Sequence, residues 1–504
     1  MTPGTVSTTD GLLALPEPNA AGVRCFKGVP YAAPPVGPLR WRPPAPVTAW
    51  RGIRRTDRFG PNSLQGIVFD DIDPRPAGVS EDCLYLNVWS GAVGSGDLLP
   101  VMVWIHGGGF VVGSGSEPRY DGSNLAARGI VVVTLNHRLN ALGFLAHPDL
   151  SAESPHRGSG NYGMLDLVAA LGWVKRNIAA FGGDPKRVTI AGESAGSMAV
   201  SGLMASPLAK GLFARAIGES GGMFASPGHP ILSLAEAEEA GRAFARKLGA
   251  ASLEALRAAP AEDILAAAPG LGFRPIIDGY FLPRPPAQIF AAGEQSDAPL
   301  LAGWNRDEGF NFSLLHGAPD DQSYPALVRG IFGGQTAEAL RFYPSGDAET
   351  DKASAKALGG DLSIVHGTWA WLEAQRTSGT APIYRFRFDR CPLTPEGWFG
   401  STPSAEAGAF HAGEIFYVFD NLDACPWRIA ADDRALATLA SAYWVNFIKS
   451  GDPNGAGLPK WPSYRDGERP FLVLDASPKV RMEHETAKHE FLARATQTRA
   501  EDTG

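Results

Sequence analysis

One serine of the sequence stands in a pattern that is typical of a catalytic nucleophile. The segment Gly192-Glu-Ser194-Ala-Gly196 follows a β-branched run, residues 187–191, and precedes a helix-compatible stretch, residues 197–205. Glycines on both sides let the chain turn sharply, which lifts the serine hydroxyl clear of a sheet and places it near a helix N-terminus. The context therefore predicts a strand, a tight turn and a helix, with Ser194 as the nucleophile.

The same five-residue pattern occurs a second time, at Gly218-Glu-Ser220-Gly-Gly222. A match of five residues is a weak signal by itself, so the flanking sequence has to decide. The ten residues after Ser220 are rich in glycine and proline and cannot start a helix, so no helix amides would point at its hydroxyl. We interpret Ser220 as a turn serine without a catalytic role.

A run of three glycines supplies a candidate oxyanion hole. The apolar stretch 101–105 leads directly into His106-Gly107-Gly108-Gly109-Phe110. Glycine amides can approach a developing oxyanion closely because they carry no side chain, and the amide of Ala195, next to the nucleophile, is a further donor. A glycine turn after a strand has a purely structural interpretation too, but its pairing with Ser194 favours the catalytic one.

A carboxylate and a histidine that follow the serine in the chain could complete a catalytic triad. Asp307 and Glu308 come just after the strand-like run 298–303, and either carboxylate could orient an imidazole. Six histidines follow Ser194, and only His411 lies on a loop after a late strand and before an apolar stretch. We expect His411 to be the general base, and we set aside the other five: His229, His316, His366, His484 and His489.

Two motifs of other protein classes fail on context. Gly158-Ser-Gly160-Asn-Tyr-Gly163 spells a dinucleotide fingerprint, yet it follows a loop instead of a strand. His484 and His489 are five residues apart, which turns them by about 140° on a helix and argues against a zinc site. We predict neither a cofactor nor a metal.

The scaffold for these side chains is an alternation of strand-like apolar runs with amphipathic helical stretches. That order predicts an α/β fold with a mainly parallel central sheet flanked by helices on both faces. The strand-like runs are residues 100–105, 130–136, 187–191, 213–218, 298–303 and 383–389.

Two regions without a sheet pattern, roughly residues 231–295 and 316–380, look like helical insertions that could cap a site at the sheet edge. We expect a single catalytic domain over residues 1–504. The polar end of the chain, residues 493–504, is predicted to be a disordered tail.

Composition limits the function classes. The 504 residues are 44% hydrophobic and 19% charged, which is typical of a globular protein. A net charge of -8 without clusters of Lys and Arg argues against a nucleic-acid partner. The longest aliphatic run, residues 130–133, is far too short for a membrane span, and the start of the chain lacks a secretory pattern, so we expect a cytoplasmic enzyme. Four cysteines without CxxC spacing predict reduced, mostly buried thiols.

Taken together, these residues resemble the type B carboxylesterase/lipase family, which also contains cholinesterases and bacterial para-nitrobenzyl esterases. The resemblance extends over most of the chain, well beyond the motifs described above. It is carried by segments 26–37, 80–87, 106–110, 161–163, 181–185, 192–196, 307–309, 410–415 and 451–454.

The resemblance implies the α/β-hydrolase fold and a carboxylesterase that acts on short to medium acyl or aryl esters through an acyl-enzyme. It implies Ser194 as nucleophile, Glu308 and not Asp307 as triad acid, and His411 as base. Gly108, Gly109 and Ala195 would be the oxyanion donors. The expected partner is a small ester, and the expected assembly is a monomer or a weak homo-oligomer. Alternatives are a triacylglycerol lipase, a carbamate hydrolase and a non-catalytic binding relative.

Two departures from the family pattern narrow this expectation. Secreted members usually bridge the cysteine at Cys83 to one upstream, whereas only Cys25 precedes it here, so we expect no bridge. Cholinesterases hold a quaternary ammonium on a tryptophan that residues 51–87 lack, which makes choline esters poor candidates.

Overall fold

The apolar runs of the sequence form the strands of one large sheet in the computed structural model, which describes residues 4–66, 78–315, 323–399, 403 and 406–502. The strands are β1 (Thr5–Ser7), β2 (Leu12–Ala14), β3 (Arg24–Pro30), β4 (Ile53–Arg54), β5 (Asn62–Ser63), β6 (Val79–Ser80), β7 (Tyr85–Ser90), β8 (Leu99–Ile105), β9 (Val131–Leu135), β10 (Gly183–Glu193), β11 (Arg215–Glu219), β12 (Leu300–Asn305), β13 (Ile383–Phe388), β14 (Pro470–Leu474) and β15 (Lys479–Met482).

Helices cover both faces of this sheet. They are α1 (Ser123–Ala126), α2 (Asn140–Phe144), α3 (Pro148–Glu153), α4 (Tyr162–Asn177), α5 (Ala195–Ala205), α6 (Leu234–Lys247), α7 (Leu253–Ala258), α8 (Ala261–Ala267), α9 (Pro286–Ala291), α10 (Gly309–Phe312), α11 (Tyr324–Phe332), α12 (Thr336–Phe342), α13 (Ala348–Gly360), α14 (His366–Ser378), α15 (Ile415–Val418), α16 (Ala431–Ser450) and α17 (Thr486–Asp502). A π-helix, Asp361–Val365, joins α13 to α14.

The central sheet has ten strands in the order β15-β14-β13-β12-β11-β10-β8-β9-β7-β3. Neighbours from β14 to β9 run parallel, and the pairs β14·β15, β7·β9 and β3·β7 are antiparallel. The predicted, mainly parallel sheet is therefore confirmed. Strands β3, β7, β14 and β15, which the sequence analysis missed, lie toward the two edges of the sheet.

The alternating side chains of β8 show that the apolar core lies on both faces of the sheet. Val101 and Val103 belong to one apolar cluster, whereas Met102 and Trp104 belong to a second cluster on the opposite face. Successive side chains of a strand point to opposite faces, so β8 is buried from both sides. The register pairs Gly192 with Ile105 and with Gly218, which brings the carboxyl ends of β8, β10 and β11 to one edge of the sheet.

Helices, and not strands, fill the two regions that the sequence marked as insertions. Helices α6 to α9 lie within 231–295, and α11 to α14 lie within 316–380, of which residues 316–322 lie outside the described residues. The assignment of the whole chain to one domain stays a prediction.

The prediction of a disordered tail at 493–504 is wrong for all of the residues that the structure describes there, since α17 continues to Asp502. Its side chains Phe491, Leu492 and Ala495 pack in a third apolar cluster with residues of α11 to α13. These apolar positions recur on one helical face, and tertiary packing of that face outweighs the polar composition of the segment.

Candidate active site

Ser194 occupies the tight turn that the sequence predicts. Strand β10 ends at Glu193, helix α5 begins at Ala195, and Ser194 between them has φ 56° and ψ -121°. A side chain at Gly196 would lie 2.0 Å from the carbonyl oxygen of Ile105, so only glycine fits there. A non-glycine residue at positive φ costs about 1–3 kcal/mol, and such strain is typical of functional turns.

The glycine loop after β8 lies directly against this serine. A Cβ on Gly107 would lie 3.2 Å from Cβ of Ser194, and a Cβ on Gly108 would lie 2.2 Å from the carbonyl oxygen of Val112. Gly108 and Gly109 both have positive φ, at 102° and 64°. Within the described residues, the amides of Gly108, Gly109 and Ala195 donate no hydrogen bond, so all three are available as donors.

The structure brings Glu308 and His411 into direct contact. Oε2 of Glu308 lies 2.6 Å from Nδ1 of His411, and the other carboxylate oxygen accepts the Asn305 amide at 2.8 Å. The Glu308 side chain is 1% exposed, so its charge is not screened by water. Phe312 packs edge-on against the imidazole, with ring centroids 5.0 Å apart.

Asp307, which the residues alone left as an equal candidate, points elsewhere. Its carboxylate pairs with Arg306 at 2.7 Å and accepts the Ala409 amide at 2.7 Å. It makes no hydrogen bond with His411 in the described part of the chain. Asp307 therefore holds the loop that precedes His411, while Glu308 contacts the imidazole itself.

Ser194 and His411 form no direct hydrogen bond in the part of the chain that the structure describes. Nε2 of His411 lies 3.1 Å from Oε1 of Glu193, the residue before Ser194. Catalytic hydrogen bonds are often long or poorly aligned without substrate and tighten when substrate binds. The imidazole is thus oriented by Glu308 on its Nδ1 side and contacts the residue before Ser194 on its Nε2 side.

Three buried glutamates around this centre were missed by the sequence analysis. Burial raises the pKa of Glu193 to about 8 and that of Glu414 to about 7, and it also raises the pKa of Glu219. Asn305 donates to Glu414 at 2.5 Å, and the Trp444 indole donates to Glu219 at 2.8 Å. Glu193 and Glu219 each precede the serine of a G-E-S motif, which is the signal that could have marked them.

The charge state of His411 depends on the carboxylates that surround it. Burial by itself would lower the pKa of His411, but the negative charges of Glu193 and Glu308 outweigh burial and raise that pKa above its ordinary value. A protonated Glu193 carries no charge, so its share of this effect is present only while Glu193 is ionised.

Ser220 has the backbone of Ser194 without its surroundings. Its φ is also 56°, and its amide donates to the carbonyl of Gly303 at 2.8 Å. Its side chain is 0% exposed, and the hydroxyl has no hydrogen-bond partner among the described residues. No helix follows within residues 221–230, as the sequence predicts.

The described residues contain no metal-ligand cluster, no membrane-spanning helix and no disulfide. They contain no group of three side chains suited to hold a metal ion. Their helices include none with the length and apolarity that crossing a bilayer requires. None of the four cysteines forms a disulfide. Cys83 is buried, but Cys391 is exposed, which contradicts the expectation of mostly buried thiols in its case.

The fold and this site define an α/β-hydrolase, and comparison with known proteins gives the family. A family model described as the carboxylesterase family matches residues 10–492, so the chain belongs to the carboxylesterase family. Fumonisin B1 esterase of Sphingopyxis macrogoltabida is 41% identical over 88% of this chain and 82% of its own length. Para-nitrobenzyl esterase of Bacillus subtilis is 37% identical over 94% of this chain and 95% of its own length.

Solved structures agree. A para-nitrobenzyl esterase superposes with a TM-score of 0.82 at 36% identity, covering 97% of this chain and 100% of that one. A carboxylesterase of Geobacillus stearothermophilus gives 0.83 at 36% identity with the same coverage. The resemblance to this family, the α/β-hydrolase fold and the assignment as a carboxylic ester hydrolase are thereby confirmed.

Proposed function

We propose that this carboxylic ester hydrolase works by acyl transfer to Ser194, with His411 as general base and Glu308 as the acid that orients it. The observation that carries the proposal is the 2.6 Å contact between Glu308 and His411 beside the strained Ser194 turn. A buried carboxylate on Nδ1 fixes the tautomer whose Nε2 is free to accept a proton, and it stabilises the imidazolium that follows.

In the first step, His411 takes the Ser194 proton while Oγ bonds to the ester carbonyl carbon. The carbonyl oxygen becomes an oxyanion, which the amides of Gly108, Gly109 and Ala195 stabilise. The imidazolium then protonates the alcohol oxygen as its bond to carbon breaks, which leaves an acyl-enzyme. Water repeats the sequence with the same base and releases the carboxylic acid and free Ser194.

The substrates that we propose are short to medium acyl or aryl esters. The relatives are named for different esters, among them fumonisin B1, para-nitrobenzyl esters and cocaine. Membership of the family therefore supports ester hydrolysis, while residues elsewhere in the site select the acyl and alcohol groups of the substrate. The cytoplasmic location and a monomeric or weakly associated state stay predictions.

A burst experiment tests the acyl-enzyme. Rapid mixing with 4-nitrophenyl acetate should release about one nitrophenolate per enzyme before steady turnover when deacylation is slower than acylation. Ser194→Ala should abolish both phases, and Ser220→Ala should keep both. Hydrolysis by Ser194→Ala at the wild-type rate would contradict the proposal.

A higher rate on emulsified long-chain triacylglycerol than on dissolved short esters would assign the protein to the lipase alternative instead. That comparison should be made on the same preparation that shows the burst.

A further inference from the structure

Two histidines meet in the interior where helix α17 packs against α14. His489 of α17 is 0% exposed and His366 of α14 is 1% exposed, and their ring centroids lie 6.0 Å apart with the planes 22° from parallel. The Trp369 ring lies 5.0 Å from the His489 ring, and the Trp304 ring of β12 lies 6.4 Å from it. We call His489 and His366 the imidazole pair. Packing of these rings joins α17 to α14.

Three ring nitrogens of the imidazole pair are buried without a hydrogen bond. Both nitrogens of His489 and Nδ1 of His366 have no partner among the described residues. Buried polar atoms are nearly always hydrogen-bonded, so unpartnered ones need an explanation. A neutral imidazole can be buried at moderate cost, whereas an imidazolium at this place would be a buried charge without an acceptor for its protons. The packing of α17 therefore favours the neutral form of both rings.

Two cations stand close to the imidazole pair. Lys488 precedes His489 in α17, and the guanidinium carbon of Arg385 on β13 lies 4.0 Å from the centroid of the Trp304 ring. Burial lowers the pKa of His489 well below its ordinary value, and the positive charges of Lys488 and Arg385 lower it too. Burial also lowers the pKa of His366 to about 4. The cations thus act in the same direction as the missing hydrogen-bond acceptors.

The carboxylates of this region contact the two cations. Lys488 lies 2.8 Å from Asp361 of the π-helix and 2.8 Å from Glu485, which directly precedes α17. Arg385 pairs with Glu483, and both of these side chains are 2% exposed. In the described part of the chain, none of the three carboxylates accepts a hydrogen bond from the unpartnered nitrogens of the imidazole pair. A proton added to either ring would therefore not be stabilised by a direct contact with an acid.

Helix α17 also contacts an element that borders the loop of Glu308. Lys488 binds Asp361, which is the first residue of the π-helix. Gly360 comes just before it, and a Cβ on Gly360 would lie 2.6 Å from the amide nitrogen of Gly309 and 3.3 Å from the carbonyl carbon of Glu308. Release of α17 would therefore remove an anchor of the segment that packs directly against this loop.

We propose that the imidazole pair makes the packing of α17 sensitive to acid, so that α17 stays docked on α14 at neutral pH and is released as the pH falls. In the released state both rings titrate with an ordinary histidine pKa of about 6.5. Below that pH the released state binds protons that the docked state excludes, so the docked state loses stability as pH falls. For each ring the docking equilibrium shifts by up to about tenfold per pH unit. The release itself is independent of the proposed function, and only the role of Glu308 in the accompanying loss of activity rests on it.

Hydrogen exchange read by mass spectrometry tests the release on the full chain. Protection factors, corrected for the intrinsic effect of pH on exchange, are compared at about pH 7.5 and about pH 5. We expect wild-type peptides of α17 to lose protection by about tenfold to hundredfold in acid, while peptides of β8 and β10 keep theirs. His489→Phe keeps an aromatic ring that cannot be protonated, so its α17 peptides should lose less protection. His484→Phe is the matched control, since His484 is exposed just before α17, and it should behave as wild type.

Two results would overturn the inference: wild-type α17 peptides that are equally protected at both pH values, or the same loss of protection in His489→Phe as in wild type. Should His489→Phe fail to fold, the wild-type peptides still decide, because a loss of equal size in α17, β8 and β10 would show unfolding of the whole chain instead of release of α17.

Esterase activity tests the connection to the active site. After incubation at about pH 5, activity assayed at about pH 8 should decline several-fold faster for wild type than for His489→Phe. Equal rates of decline would overturn the connection between α17 and the Glu308 loop. Loss of the nitrophenolate burst from untreated wild type would instead contradict the proposed function and leave the release of α17 unaffected.

Discussion

The two G-E-S turns at Ser194 and Ser220 have the same sequence motif but different structural surroundings. They follow neighbouring parallel strands that pair Glu193 with Glu219, and both serines have a φ of 56°. A helix starts directly after Ser194, whereas Ser220 is followed by irregular chain and is completely buried. The strained backbone thus does not distinguish the two serines; solvent access and the following helix do.

The largest expected effect separates the two serines directly. We expect Ser194→Ala to lower kcat on a soluble aryl ester by about 10⁵-fold, because the nucleophile and its base act as a unit. Ser220→Ala should lower it by less than about tenfold. Thermal unfolding of both variants should match wild type within a few degrees, so that the rates report chemistry. A Ser194→Ala variant with nearly wild-type kcat would contradict the proposed difference between the two serines.

The next effect separates the two acids of the loop after β12. Glu308→Gln should lower kcat by about 10³- to 10⁴-fold, by analogy with the loss when the triad acid of a serine protease is amidated. Asp307→Asn should cost less than about tenfold, because Asp307 contacts Arg306 and a backbone amide instead of the imidazole. The opposite ranking in steady-state kinetics would transfer the triad role to Asp307.

A pH profile separates the glutamates that precede the two serines. In the proposed mechanism neutral His411 is the base, so kcat/KM should rise with pH through the His411 pKa, which Glu193 and Glu308 hold above its ordinary value. Removing a negative charge lowers that pKa, so Glu193→Gln should move the acid limb to lower pH, by up to about one unit. Glu219→Gln, the matched control, should leave the limb in place.

The smallest effect concerns stability. Burial raises the pKa of Glu219, so the folded state holds this proton more tightly than the unfolded state does. Stability contributed by the protonated form is present below the unfolded pKa and is lost as pH rises toward the folded one. The glutamine of Glu219→Gln cannot ionise, so this variant does not lose that stability. The melting temperature of the variant minus that of wild type should therefore increase by a few degrees from pH 5 to pH 8. A constant difference would contradict the raised pKa.

The turn geometry at Ser194 could be predicted from sequence because it depends on local constraints. Gly196 and Gly108 are required where a Cβ would collide with backbone, and such positions appear in the sequence as glycines at fixed spacing. The parallel core strands were predictable for a similar reason, since strands buried on both faces have continuous apolar runs.

Properties that depend on distant packing could not be predicted in this way. The choice between Asp307 and Glu308 is made by a distant loop, because Asp307 accepts the Ala409 amide whereas Glu308 contacts the His411 imidazole. The raised pKa of Glu414 results from burial that no local pattern reports. Helix α17 was missed because its apolar face is stabilised by contacts with α11 to α13.

Covalent labelling tests the difference between the two turns most directly. Wild-type protein should be treated with a fluorophosphonate, which phosphonylates activated serines, then digested and mapped by mass spectrometry. The account predicts one adduct per chain, on Ser194, and no labelling after Glu308→Gln under conditions that saturate wild type. An adduct on Ser220 with Ser194 unmodified would contradict it.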